Sequence, residues 1–417
     1  VADDTYDLMV GLWLFERFPR LPQKIVDQIR SEISAYRVLR RDIHAHPELG
    51  FDEHRTASVI CEALDKLSIK YHTGIGKTGI VGIVQGRETT SGRAIGLRAD
   101  MDALPIRECT NLDYASVSEG RMHACGHDGH VTMLLVAADY LQRTRNFNGT
   151  VYLIFQPGEE GYNGGLEMVK DGLFERFPIE QVYALHNWPS LPLGTVSVPI
   201  GPVMAAADLF KIRIHGRGGH GGVAPQRTVD PVLIAGHVIV AAHSIISRNL
   251  DPLDAGVISL CGISGGSLVA HSVIPEEAVI TGTSRSLRPE VQDVIETRLR
   301  ETVESIARGL GGAASLEYRR VVPAAINAEA EALLARCAAE DVVGMDNVVP
   351  HPVPSLGGED FSFMLRERPG AYIHLGTGDR EHCHGLHSAH FDFNDEAIPI
   401  GGALLARIAE LSMPPRL

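Results

Sequence analysis

The sequence predicts an α/β protein in which a mixed-sheet domain is interrupted by a second, ferredoxin-like βαββαβ domain. Three observations carry this expectation. Short apolar runs alternate with helical patterns in the first half, a βαββαβ order follows, and helix–strand alternation resumes after Pro323. At 417 residues the chain is also longer than one core usually organises. The expected division is a discontinuous domain over 24–205 and 322–417, an inserted domain over 206–321, and an N-terminal extension over 1–23.

Within the extension, "LMVGLWLF" (8–15) is too short to span a bilayer and lacks a basic flank, so it reads as a packing helix. The runs at 79–84, 94–99, 151–157 and 182–188 are continuously apolar or β-branched, as strands buried on both faces are. A helical segment at 130–144 lies between them. The middle reads as strand 208–216, helix 230–250, strands 255–263 and 277–287, helix 289–311 and strand 314–321. Pro289 starts the second of these helices, and Gly309, Gly311 and Gly312 close it. Val291, Ile295, Leu299, Val303 and Ile306 recur at steps of three and four, which gives one buried face. The last stretch reads as helix 327–340, strand 371–378 and a terminal amphipathic helix 397–412.

Apolar residues make up 44% of the chain and charged residues 22%, an ordinary soluble composition. Lys+Arg number 38 against 52 Asp+Glu, a net charge of −14 with no basic cluster, which disfavours nucleic acid and anionic membranes as partners. Six scattered cysteines (61, 109, 125, 261, 337, 383) read as reduced thiols of a cytoplasmic protein.

The stretch "MHACGHDGH" (122–130) concentrates ligand chemistry beyond what a helix start needs. Asp100 and Asp102 follow one expected strand, Glu159 and Glu160 follow another, His186 ends a third, and His387 lies beyond a fourth. Sites in open α/β sheets form outside the carboxyl ends of strands. Taken singly, Cys125 reads as a small buried hydrophobe, His186 as a core histidine, the glutamates as a solvated turn and the aspartates as caps. Those readings would all have to coincide at the strand ends of one sheet. Thiolate, imidazole and carboxylate together suit Zn²⁺, Mn²⁺, Co²⁺ or Ni²⁺ better than Mg²⁺ or Ca²⁺. The donors exceed the needs of one tetrahedral ion, so two ions about 3.5–4 Å apart are expected. The Cys125 thiolate is a candidate to lie between them. Of two adjacent glutamates, one can bind metal while its neighbour acts as general base.

The motifs "RRDIHAHPELGF", "LRADMDALPI", "MHACGHD", "QPGEEG", "ALHNWP", "GRGGHGG", "SVIP", "GTSR", "GGEDFSF" and "LHSAHFDF" occur in an order that resembles the amidohydrolase branch of peptidase family M20. That branch includes hippurate, N-acyl-amino-acid and auxin–amino-acid hydrolases, and the resemblance spans about residues 30–415. It implies metal ligands Cys125, His127, Glu160, His186 and His387, with Glu159 as general acid/base. It implies that Asp102 orients a ligand, and it assigns Asp100 no role. His220, from an inserted lid and dimerisation domain, is expected to hold the oxyanion in the partner subunit's site. Arg285, Ser272 and Glu359 are expected at the substrate, Arg285 as a carboxylate clamp. Ser272 and Gln226 depart from the Asn and His common at these places. The implied activity is cleavage of an N-acyl amino acid by a homodimer or higher oligomer. A related dipeptidase or carboxypeptidase, a thiol hydrolase using Cys125, and a non-catalytic binding protein are the alternatives.

Overall fold

The computed structural model describes residues 24–31 and 33–415; the expected helix at 8–15 lies outside them. Its larger part is built on a seven-stranded sheet in the order Lys70–Ile75, Gly79–Gln85, Thr150–Gln156, Ala94–Asp100, Gln181–Pro192, Gly370–Gly378 and Val196–Ser197. The four strands from Thr150–Gln156 to Gly370–Gly378 run parallel, and antiparallel pairs close both edges. Ala94–Asp100 is buried along its whole length, which explains its unbroken apolar reading. Lys70–Ile75 escaped the sequence reading because it is an edge strand, exposed at most positions and without alternation.

Helices cover both faces. On one, His127–Thr144 and Ile398–Ser412 pack together through Leu134, Leu135, Leu404 and Leu405. On the other, Met168, Leu173, Phe174, Phe361 and Met364 fill the space above the strands. The helix expected from residue 130 begins at His127, because Gly126 turns the chain through a φ of 91°.

The helix Ile33–Ala45 is tied to the start of His127–Thr144 by buried charges. Arg40 Nη1 donates to Asp128 Oδ2 at 3.1 Å, and His44 Nδ1 lies 2.9 Å from the same oxygen. Burial opposes charge on His44, but Asp128 and Glu108 outweigh it and raise its pKa to about 9.

The second unit runs from Ala206 to Val322. Its four antiparallel strands lie in the order Gly256–Gly265, Glu277–Ser286, Ala206–His215, Ala313–Val322. The helices Pro231–Asn249 and Pro289–Gly309 share a separate core with them, around Ile212, Val238, Ile280, Ile295 and Leu299. Asp230 caps the first helix by accepting from the amides of Val232 and Leu233. That helix is long and apolar enough to cross a membrane, yet Ile234, Val238, Ala242 and Ile245 are buried against the sheet.

Leu299→Ala is expected to lower the stability of the inserted unit by about 2–5 kcal/mol in a denaturant titration. The His44–Asp128 pairing has a pH signature. A histidine with a raised folded pKa stabilises fully below its unfolded value near 6.5 and loses that stabilisation as pH rises through about 9. His44→Gln is expected to remove that decline, and an unchanged stability profile from pH 6.5 to 9 would contradict the pairing.

Candidate metal centre

The carboxyl ends of the parallel strands meet at one rim. Asp100 closes its strand, Gln156 leads into Pro157–Gly158–Glu159–Glu160, and His186 projects from within Gln181–Pro192. Cys125 and His127 flank the left-handed Gly126, where an added Cβ would lie 2.4 Å from Asn187 Oδ1. His387 arrives from the loop after Gly370–Gly378 with a φ of 63°, and its amide donates to the Ala124 carbonyl at 2.8 Å.

The structure gathers Cys125, His127, Glu160, His186 and His387. The Cys125 sulfur, a His127 nitrogen and a Glu160 oxygen lie within 4.8 Å of one another. Cys125 Sγ is 3.5 Å from His186 Nε2, and Glu160 Oε1 is 3.2 Å from His387 Nε2. His186 Nδ1 donates to the Asn187 carbonyl at 2.7 Å, which leaves Nε2 with its lone pair. Among the described residues, His127 Nε2 is buried without a hydrogen-bond partner, with the Asp100 and Glu160 carboxylates 3.7 and 4.0 Å away. Such orphaned groups are costly unless a ligand meets them. The donor set therefore fits a pair of borderline transition ions.

His130 stands among these donors but is already engaged. Its Nδ1 lies 2.5 Å from Asp100 Oδ1, and its Nε2 contacts both the side chain and the amide of Asn187. Its ring packs edge-on to His186, with centroids 4.4 Å apart. Asp100 thus orients His130, a part the sequence reading left unassigned. Asp102 accepts from the amides of Glu159 and Glu160, each at 3.0 Å, and lies 3.3 Å from His127 Nδ1. One carboxylate therefore fixes the glutamate turn and the imidazole together.

Behind the donors lies Arg98, fully buried, donating to Asp100, Gln156, Glu359 and Asp360. The sequence signal was an arginine inside an otherwise apolar strand. Glu359, expected at the substrate, is instead only 2% exposed and held by Arg98 at 2.9 Å. Its carboxylate accepts from that buried guanidinium and from the Phe361 amide, and it lies within 4.8 Å of the Glu159 and Asp360 carboxylates. Together with Asp360 it presses on Glu159.

Electrostatics follow from this crowding. Burial, then Glu359, Glu160 and Asp360, push the Glu159 pKa well above the usual carboxylate range. Burial would lower His127, but Asp100, Asp102 and Glu160 outweigh it and raise it to about 10. Burial, Glu160 and Glu159 push the Cys125 thiol up. A cysteine nucleophile needs the opposite, a stabilised thiolate. The anionic surroundings thus speak against the thiol-hydrolase alternative and suit a cation.

The remaining expected residues lie on the inserted unit. His220 is exposed at a hairpin where Gly219–His220 pairs with Val273–Ile274. Its Nδ1 accepts from the amides of Gly222 and Val223, both at 3.1 Å, which leaves Nε2 as a donor pointing away from the turn. Ser272 shares that exposed hairpin through its carbonyl, which accepts from the Gly221 amide, and Gln226 is exposed nearby in sequence. Arg285 is half-buried, its guanidinium on the Thr283 hydroxyl and the Ser284 carbonyl. The hydrogen bonds of His220 and Arg285 all stay within the inserted unit.

Asp102→Ala is expected to weaken metal binding about 10–100-fold by freeing both His127 and the glutamate turn. A chelator-competition titration reads this, and unchanged affinity would remove the orienting role.

Comparison with known proteins agrees with this geometry. The chain matches the Peptidase family M20/M25/M40 over residues 96–411. It is 37% identical to hippurate hydrolase of Campylobacter jejuni over 92% of this chain and 98% of that one. It is 36% identical to N-acetylcysteine deacetylase of Bacillus subtilis over 89% of this chain and 95% of that one. Among solved structures, it resembles a dinuclear metal binding peptidase of the M20 family from Bacillus subtilis. The TM-score is 0.81 at 32% identity, covering 92% of this chain and 99% of that one.

Proposed function

Because the chain belongs to Peptidase family M20/M25/M40 and is a hydrolase of amide bonds, we propose that it is a dinuclear metal-dependent amidohydrolase cleaving N-acyl amino acids. One observation carries the reading: the buried donors of Cys125, His127, Glu160 and His186, with His127 Nε2 left without a hydrogen-bond partner, converge with His387 beside a second glutamate of raised pKa. Cys125, His127, Glu160, His186 and His387 would hold two ions drawn from Mn²⁺, Zn²⁺, Co²⁺ and Ni²⁺. When bound, such a pair polarises the scissile carbonyl and acidifies water.

The chain's own groups supply the proton traffic. Glu159, held beside Glu160 by Asp102, takes a proton from the attacking water and passes it to the leaving amine. A carboxylate of raised pKa suits both halves of that transfer. The His220 Nε2–H, oriented by the two amides on Nδ1, is assigned to the oxyanion in a partner subunit's site. Arg285 is assigned to the substrate's free carboxylate, with Ser272 nearby on the same unit.

A homodimer through the inserted unit agrees with its surface. Gly256–Gly265 is an edge strand exposed over its second half, with Ile263 58% exposed, and Val240 on the outer helix is 76% exposed. Reduced, unpaired cysteines agree with a cytoplasmic setting. The named relatives point to small acyl groups on an amino acid, hippurate-like ones included.

Glu159→Ala is expected to lower kcat by at least about 10²–10⁴-fold while metal content stays unchanged. Activity retained within about tenfold would take Glu159 out of the mechanism. A panel of N-acetyl, N-benzoyl and indolyl-acyl amino acids against simple dipeptides separates the amidohydrolase from a peptidase of the same family.

A further inference from the structure

We propose that the loop from Asp379 to His390 carries a separate, exposed site for one transition-metal ion, formed by His384 and His390, that loads the metal centre by way of His387. The inference rests on the ligand assignment made above. It starts from a gradient of burial: Cys125, His127 and His186 are 7%, 0% and 5% exposed, whereas the His387 side chain is 53% exposed. Ions therefore reach the centre from the side of His387.

His384 and His390 stand three residues to either side of it in sequence. Both are exposed, and their rings lie 5.4 Å apart between centroids with a tilt of 36°. Two imidazoles at that separation can share one ion. No side-chain hydrogen bond engages either ring among the described residues. The nearby His382 is different, because its Nδ1 is held 2.9 Å from Asp379 Oδ1. Cys383, a free and exposed thiol, adjoins His384 in sequence.

The loop is shaped before any ion arrives. Asp379 accepts from the amides of Glu381 and His382 at 2.8 and 2.7 Å and from the Asn394 side chain at 2.7 Å. The His387 amide is pinned to Ala124, and the His390 amide donates to the Ser388 hydroxyl at 3.2 Å. Imidazole is a good ligand for Zn²⁺, Co²⁺, Ni²⁺ and Cu²⁺, and a two-imidazole site completed by water is weak and exchangeable. The carboxylates behind His387 draw a cation inward. Capture outside and stronger binding inside make a one-way path.

The test uses the full chain with Co²⁺ alone. Metal-stripped protein is titrated to equilibrium, total bound Co²⁺ is counted by equilibrium dialysis, and filling of the tight sites is followed by the thiolate–Co²⁺ absorbance of Cys125. Wild type is expected to take two equivalents tightly and one more weakly. The double variant His384→Ala with His390→Ala is expected to lose the weak equivalent and fill the tight sites about tenfold more slowly at limiting Co²⁺, to the same final occupancy. A weak equivalent that persists in the double variant overturns the site. Loss of that equivalent with an unchanged uptake rate overturns the loading path. If wild type takes up no tight equivalents at all, the failure lies with the metal centre itself.

Discussion

Three buried carboxylates, Asp100, Glu359 and Asp360, are packed against one buried guanidinium, that of Arg98. Asp102, Glu159 and Glu160 add three more to the same site with no arginine of their own among the described residues. Everything else about the site answers that imbalance. Burying ionised carboxylates without compensation costs several kcal/mol each. The protein spreads the burden over hydrogen bonds to Gln156, to backbone amides and to His130. What it does not neutralise it leaves at the rim, where only cations can settle the field. The same imbalance raises Glu159 and His127 and disfavours the Cys125 thiolate, which a bound cation would stabilise.

The convergence of the donors was legible because each follows a strand or opens a helix, and strand ends of a parallel sheet converge by topology alone. The supporting layer was not. Arg98 and His130 act through partners distant in sequence, Glu359, Asn187 and Asp100, and spacing does not report a buried contact across more than two hundred residues. Glu359 shows the converse case. Its motif marked it as part of the site, but only the packing reveals that it faces Arg98. The fold was legible wherever burial is two-sided or helical. It was illegible at Lys70–Ile75, where an exposed edge carries no periodicity.

The helix Ile33–Ala45 has a part in the site although none of its residues is among the donors. Arg40 and His44 converge on Asp128, the residue after His127, so the first turn of the ligand-bearing helix is braced from behind. With Asp102 bracing the same imidazole and the glutamate turn from in front, His127 is held on two sides. Donors fixed in this way lose little entropy when an ion binds.

The inserted unit enters and leaves the larger part on neighbouring strands, with Val322 paired to Ala207, and keeps a core of its own. Its two ends thus sit side by side, like the ends of a removable cassette. Reshaping that cassette leaves the residues of the larger part's donor cluster untouched. Change in that cassette can therefore proceed while the frame that gathers the donors stays constant.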